Sequence, residues 1–156
     1  MKKRNRERLH AVAWVVFIIY LIAMVYFLFF SEQLGRIPSD TYHYNLEPFT
    51  EIKRCLNHIF ELGLFYVILN LLGNVVCFMP LGFVLPILSK RSLGVFRITF
   101  ISFLSSVLVE LLQLVTKLGS CDIDDIIMNT LGGFLGYILF VICRGVYRIG
   151  TRRREE

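Results

Sequence analysis

The sequence predicts an all-α fold, a polytopic membrane protein built as a bundle of four transmembrane helices. Hydrophobic residues make up 56% of the 156-residue chain, and its mean hydropathy of +0.64 is far above that of an ordinary soluble domain. These apolar residues fall in four long runs, and most basic residues lie in short blocks beside them. We therefore expect a single membrane domain over residues 1–156.

Each of the four runs is long enough to cross a hydrocarbon core of about 30 Å as a helix. The predicted spans are residues 11–30, 62–88, 98–118 and 126–143. A basic segment precedes the first run, as it would in a signal peptide, but the run has the length of a full span and no small-residue cleavage pattern follows it. We predict that this run stays in the protein as a helix.

Charge predicts the orientation of the spans. Basic residues concentrate in the N-terminal arm, in the loop at 89–97 and in the C-terminal tail, whereas acidic residues are common in the connections at 31–61 and 119–125. By the positive-inside rule, both termini lie in the cytoplasm and the two acid-rich connections face outward. The net charge of +5 then indicates contact with anionic lipid headgroups, and no nucleic-acid partner is expected.

The first outward connection contains a predicted short amphipathic helix at the membrane interface. Gly35 and Pro38 break regular structure earlier in the connection. Farther along, apolar residues recur at helical spacing, opposite charged and amide residues; they are Ile52, Leu56, Ile59 and Phe60. A solvated loop is the alternative interpretation of this segment.

Polar residues form one stripe on each of the last three predicted spans, on the outward side of the midplane. A carboxylate exposed to hydrocarbon costs several kcal/mol, so these groups are expected to converge on a pocket that opens outward. Glu110 is the ionisable residue at the centre of the third stripe. The candidate substrate-binding residues are Asn70, Asn74, Glu110, Gln113, Asp122, Asp125 and Asn129. Hydrogen bonding that only holds the helices together is the alternative.

Small residues and prolines make further predictions about packing. Gly132, Gly133 and Gly136 give the fourth span a small-residue face, which predicts close approach to a neighbouring helix. Pro80 and Pro86 each remove a backbone hydrogen bond, so the second helix is expected to be kinked or broken in its inner half.

The four cysteines lack the spacing of a metal or redox site, and the sequence predicts no metal and no cofactor. A disulfide between Cys55 and Cys121, both outside the predicted spans, stays open as a hypothesis. Asp124 is a candidate N-cap for the fourth helix. Binding of a divalent cation or a basic ligand at the acidic turn around it is the alternative.

The order, spacing and types of these polar residues resemble the VanZ-like family of bacterial membrane proteins over residues 45–137. The resemblance is carried by Asn45-Leu-Glu-Pro-Phe49, Asn70-Leu-Leu-Gly-Asn74, Phe78-Met-Pro-Leu-Gly82, Glu110-Leu-Leu-Gln113, Asp122-Ile-Asp-Asp125 and Asn129-Thr-Leu-Gly-Gly133. It implies a role in low-level resistance to teicoplanin, a lipid-tailed glycopeptide antibiotic. The implied partners are membrane lipids, with the drug or a lipid-linked cell-wall intermediate as further candidates.

Three functional hypotheses follow for the sequence. The leading one is a non-enzymatic protein of the bacterial cell membrane whose outward pocket engages one of those partners. Glu110 near mid-depth and the proline-broken helix suggest a proton-coupled transporter or lipid translocator instead. The third hypothesis is a lipid-headgroup hydrolase or transferase that uses Glu110 with Asp124 or Asp125 as acid and base, although the sequence shows no convincing nucleophile near them.

Overall fold

The computed structural model describes residues 3–30, 41–89 and 92–152. In these ranges the chain forms helices α1 (Lys3–Phe30), α2 (Thr50–Asn57), α3 (Ile59–Leu62), α4 (Leu64–Leu88), α5 (Val95–Thr116) and α6 (Ile123–Arg152), and strands β1 (His43–Asn45) and β2 (Ser120–Asp122). The predicted turn residues Gly35 and Pro38 lie outside the described residues.

Four of the helices, α1, α4, α5 and α6, are long and apolar enough to cross a membrane. This confirms the predicted all-α bundle, with corrected helix ends. The last helix begins at Ile123 and continues to Arg152, well beyond the predicted span of 126–143. Its extension carries Arg144 and Arg148, and arginine is compatible with a helix interior.

Two short strands pair with each other and join the two connections that the sequence predicts on the same side of the membrane. β1, which follows the first span, pairs in parallel with β2, which follows the third. The partners are His43 with Ser120, Tyr44 with Cys121, and Asn45 with Asp122. The two acid-rich connections therefore meet at one end of the bundle, in a small sheet that the sequence analysis did not predict.

The predicted short helix in the first connection is present as α2 and α3, but its buried face differs from the predicted apolar stripe. Cys55 is fully buried, and Ile52 and Ile59 are half-buried. Leu56 and Phe60 point away from the bundle, with exposed fractions of 58% and 99%. Leu56 and Phe60 therefore contribute little to the packing of the bundle, and the predicted contact with the membrane interface stays a prediction.

Helix α6 packs closely on both α4 and α5. A Cβ atom added at Gly132 would lie 2.2 Å from the carbonyl oxygen of Val75, and one at Gly136 would lie 2.0 Å from that of Met79. On the α5 side, a Cβ at Gly133 would lie 2.0 Å from the Ser102 hydroxyl oxygen. These distances confirm the prediction of close helix packing and identify both neighbours.

Helix α1 packs on α4 through a narrow stripe that forms the apolar core with α4 and α5. The buried members of this core are Phe17, Met24, Leu28, Phe78, Leu81, Leu88 and Val109. The Tyr20 hydroxyl donates a hydrogen bond to the carbonyl oxygen of Cys77, at 2.8 Å. Helix α4 continues without interruption through Pro80 and Pro86, so it is not broken there, and the alternative of a kink stays a prediction.

Candidate functional site

Most of the candidate polar residues are buried inside the bundle. Each of Asn74, Glu110, Gln113, Asp122, Asp125 and Asn129 is buried. Asn70, the remaining candidate, is half-buried. Burial of all three stripes agrees with the cost of exposing such groups to lipid, and the hydrogen bonds of each side chain then distinguish structural roles from possible contact with a ligand.

Asp124 holds the beginning of α2. Its carboxylate accepts hydrogen bonds from the backbone N–H groups of Phe49 at 2.5 Å, Glu51 at 2.9 Å and Ile52 at 3.1 Å. The first N–H groups of a helix have no partner within the helix, and a carboxylate also suits the positive end of its dipole. Asp124 therefore caps α2, which lies some seventy residues earlier, and its predicted role as N-cap of the fourth helix was wrong.

That N-terminal position belongs to Asp122, which directly precedes α6. Its Oδ1 atom accepts the backbone N–H of Asp124 at 2.8 Å, which is the usual hydrogen bond of an N-cap residue. The amide group of Asn45 in β1 also donates to both carboxylate oxygens, at 3.3 and 3.4 Å. Asp122 thus links the start of α6 to the strand pair.

Glu110 and Gln113 on α5 are also engaged with backbone groups. A Glu110 carboxylate oxygen accepts the backbone N–H of Asp122 at 3.0 Å. The Gln113 amide donates to the carbonyl oxygen of Leu28 at 2.7 Å, one of the last carbonyls of α1, which lack a partner within their helix. These two side chains tie α5 to the acidic turn and to the end of α1.

Two further pairs connect the helices. The Asn74 amide on α4 donates to Asp125 on α6 at 2.5 Å, and the Asn129 amide on α6 donates to the Ser106 hydroxyl on α5 at 2.9 Å. The side-chain carbonyl oxygens of Gln113 and Asn129 are buried, and neither has a hydrogen-bond partner among the described residues. The interhelical hydrogen bonding that the sequence left as an alternative therefore accounts for part of the polar stripes.

A polar cleft of about 470 Å³ opens at the end of the bundle where the strands pair. It is bounded on one side by the first connection and on the other by the starts of α4 and α6. Its lining residues are His43, Asn45, Thr50, Glu51, Arg54, Tyr66, Asn70, Ser120, Asp122 and Asp125. The cleft thus brings together three of the predicted residues, Asn70, Asp122 and Asp125, whereas Asn74, Glu110, Gln113 and Asn129 are not among its lining residues.

Sequence reasoning missed the contribution of the first connection to this cleft. Glu51 and Arg54 in α2 line it and form an ion pair, with Arg54 Nε 2.9 Å from one Glu51 oxygen and Nη2 contacting the other. The spacing of three residues between opposite charges was the available signal. It did not indicate which wall of the bundle α2 would face.

A second cavity, of about 990 Å³, lies between α1 and α4 and is lined by apolar residues with Tyr20 and Tyr26. It runs along the membrane-spanning part of both helices, from Ile68 to Pro80 on α4. Because lipid tails are as apolar as such a surface, this groove is compatible with direct contact with acyl chains.

The two thiols near the cleft are buried. Cys55 and Cys121 are both free in the structure, so the hypothesis of a disulfide between them finds no support. Burial raises the pKa of each thiol, and neighbouring carboxylates add to this effect. Among the described residues, no group of three or more His, Cys, Asp and Glu side chains is placed to hold a metal ion.

Burial raises the pKa of Asp122, while the hydrogen bonds from the Asp124 N–H and from Asn45 oppose this rise. An acid whose pKa is higher in the folded state destabilises the fold when it is ionised, and that cost disappears as the pH falls through the folded-state pKa. We expect Asp122→Asn, which keeps the capping oxygen, to unfold at or above the wild-type temperature at pH 7.

The difference in unfolding temperature between Asp122→Asn and the wild type is expected to shrink as the pH falls, because the wild-type carboxyl group then becomes neutral as well. Thermal unfolding of the purified protein between pH 4 and pH 7 measures this. A variant that unfolds well below the wild type at pH 7 would show that the charge of Asp122 stabilises the fold.

These features define a multi-pass helical membrane protein whose two acid-rich connections close over one end of the bundle and leave a polar cleft between them. Comparison with known proteins gives the family: the VanZ/LLP1 family model matches residues 17–144, and the chain belongs to this family. It is 30% identical over 125 residues to Protein VanZ of Enterococcus faecium, an alignment that covers 78% of this chain and 69% of that protein. No solved structure matches the chain.

Proposed function

We propose that this protein lowers the susceptibility of a bacterial cell to teicoplanin by engaging an amphiphile in the polar cleft. The candidate ligands are a membrane lipid, a lipid-linked cell-wall intermediate and the drug itself. Family membership supports the resistance role. The observation that carries the proposal is the cleft itself, since it gathers Asn70, Asp122 and Asp125 at a single opening beside the membrane-spanning helices.

We further propose that the cleft faces outward and that both termini lie in the cytoplasm. The cleft is built from the start of α6 and the connection that follows α5. Arg97 lies at the opposite end of α5, and Arg144 and Arg148 lie toward the opposite end of α6. Basic residues at the end away from the cleft support this orientation by the positive-inside rule.

Binding is better supported than catalysis for this cleft. The acid and base of a lipid-headgroup enzyme would have been Glu110 with Asp124 or Asp125. Glu110 accepts the Asp122 N–H, and Asp124 accepts three N–H groups of α2. These carboxylate oxygens already serve as acceptors for the backbone, and neither Glu110 nor Asp124 is among the residues that line the cleft. The same placement of Glu110 weighs against a transport path through the cleft that uses this residue.

Growth inhibition tests the proposal. In a teicoplanin-susceptible Gram-positive host, expression of the chain is expected to raise the inhibitory concentration of teicoplanin and to leave that of vancomycin little changed, because vancomycin lacks the lipid tail. Asn70→Leu removes a polar group that lines the cleft and should return teicoplanin tolerance to that of cells without the protein. Glu61→Gln is the control, because Glu61 is exposed and bonded to His58 outside the cleft.

Membrane levels of each variant, measured with a tagged protein, separate loss of function from loss of the protein. Equal changes in the inhibitory concentrations of teicoplanin and vancomycin would contradict the proposed dependence on a lipid tail. Full tolerance in an Asn70→Leu strain with normal protein levels would contradict the role of the cleft.

A further inference from the structure

The apolar groove between α1 and α4 begins beside the polar cleft. On α4, Tyr66 and Asn70 line the cleft, whereas Leu69 and Gly73 line the groove. Leu69 directly precedes Asn70, and Gly73 follows Asn70 by three residues, which places Gly73 on the same face of the helix. The cleft and the groove therefore adjoin at the first turns of α4.

Small residues give the groove its depth. Ala23 on α1 and Gly73 on α4 both line it, and a Cβ atom at Gly73 would lie 3.4 Å from the Phe27 ring, an ordinary van der Waals distance. The Tyr20 hydroxyl, on another lining residue, is bonded to the Cys77 carbonyl oxygen. The groove thus offers a ligand a mainly apolar surface.

The groove opens sideways, toward the bilayer. Its edges on both helices are formed by exposed side chains within the spans; they are Ile19, Ile22, Ile68, Leu72 and Val76. A molecule dissolved in the membrane can enter along the whole length of the groove, whereas a water-soluble molecule would have to cross hydrocarbon to reach it. The occupant is therefore expected to come from the bilayer.

The length of the groove matches one lipid tail. On α4 it extends from Ile68 to Pro80, which is about 18 Å at a rise of 1.5 Å per residue. One leaflet is about 15 Å deep, as half of a hydrocarbon core of about 30 Å. An acyl tail of a membrane glycerolipid has this reach, whereas the polyisoprenoid of a lipid-linked cell-wall intermediate is longer.

We propose that one acyl tail of a membrane glycerolipid lies in this groove while the headgroup of the same molecule lies in the polar cleft. The inference rests on the proposed function and selects the membrane lipid among its candidate ligands. Because lipid tails are as apolar as the groove, a tail alone gains little over contact with other tails. Hydrogen bonds between the headgroup and cleft residues such as Asn70 therefore select the lipid, and the groove holds its tail.

Photolabelling of the full-length protein tests the inference. The protein is placed in nanodiscs of phosphatidylethanolamine and phosphatidylglycerol, with a trace of phosphatidylethanolamine that carries a diazirine at the end of one acyl tail. Labels should concentrate near Cys77 and Pro80. They should exceed those at Leu104, an exposed residue of α5, about fivefold, the effect of about one hydrogen bond that holds the lipid.

Three variants separate the two parts of the site. Asn70→Leu removes a headgroup contact and should lower the labelling near Cys77 about fivefold. Gly73→Phe and Ala23→Phe fill the groove from opposite walls and should each lower it at least as much. Gly145→Phe adds the same side chain where a Cβ meets open space and should leave the labelling unaltered. Helical circular dichroism shows which variants fold.

Equal labelling near Cys77 and at Leu104 in the wild type, or unaltered labelling in Asn70→Leu, overturns the inference. Loss of the label on addition of undecaprenyl phosphate or teicoplanin, at the mole fraction of the probe, would assign the groove to a different occupant and also overturn it. The proposed resistance function would survive either result if Asn70→Leu still abolished teicoplanin tolerance in cells. It would fail separately if tolerance persisted in that strain.

Discussion

Asp124→Ala is expected to lower the unfolding temperature of the purified protein by roughly 10 °C, from a loss of about 3 kcal/mol or more. Asp124 is 2% exposed, and its carboxylate accepts the N–H groups of Phe49, Glu51 and Ile52. Alanine removes the acceptor of all three donors. Each donor that stays buried without a partner costs about 1–3 kcal/mol, and water that enters to replace the carboxylate must disrupt the packing of α2.

Two comparisons sharpen this prediction. Asp124→Asn keeps one acceptor oxygen and should lose about half as much stability, whereas Glu61→Ala, at an exposed position on α3, should stay within about 0.5 kcal/mol of wild type. Limited proteolysis should also cut Asp124→Ala faster between residues 41 and 62, because α2 is then no longer anchored to α6. An Asp124→Ala protein that unfolds like wild type would mean that other contacts hold α2.

The four spans were predictable because hydropathy is a local property of the sequence, and the protein buries its polar stripes because a bilayer penalises exposed polar groups. The boundaries were less accurate. The last helix begins three residues before the predicted span because Asp122 supplies an N-cap, and a hydropathy window does not detect capping.

The sequence could not reveal how the connections meet. Strands β1 and β2 are three residues each, too short for a periodic signal, and their pairing depends on the bundle that brings them together. The hydrogen-bond partner of Gln113 also depends on the assembled bundle, because it is the Leu28 carbonyl oxygen at the end of α1. Polar type and spacing predict that a residue is buried and bonded, but the partner depends on the tertiary fold.

This limit also changed the candidate site. The sequence predicts one pocket for seven residues because all are polar and lie on the outward side of the midplane. In the folded chain, Glu110 supports the backbone of the acidic turn and Asn129 bonds to Ser106, while Asn70, Asp122 and Asp125 line the cleft. The seven predicted residues therefore divide between those that hold the bundle together and those that line its opening.

Alanine substitution at two glycines of α6 is expected to change the stability of the protein in opposite directions, because only one of the two glycines packs against α4. A Cβ atom at Gly136 would lie 2.0 Å from the Met79 carbonyl oxygen and 2.9 Å from its carbon. The clash is with backbone, so α4 and α6 must separate, and Gly136→Ala is expected to cost about 3 kcal/mol. A Cβ at Gly145 would meet no atom of the described residues within 4 Å beyond its own stretch of helix.

Gly145→Ala is therefore expected to stabilise the protein by about 0.5–1 kcal/mol, since alanine loses less conformational entropy than glycine in a helix. Unfolding temperatures of both variants in the same detergent measure the difference, and the helical circular dichroism before unfolding shows whether each variant still folds. Loss of stability confined to Gly136→Ala supports direct contact of the α4 and α6 backbones as the main packing interaction of the bundle. Similar changes in unfolding temperature in the two variants would mean that α4 and α6 separate at little cost. The walls of the cleft depend on the same two helices, so the cleft would then be less rigid than the close packing implies.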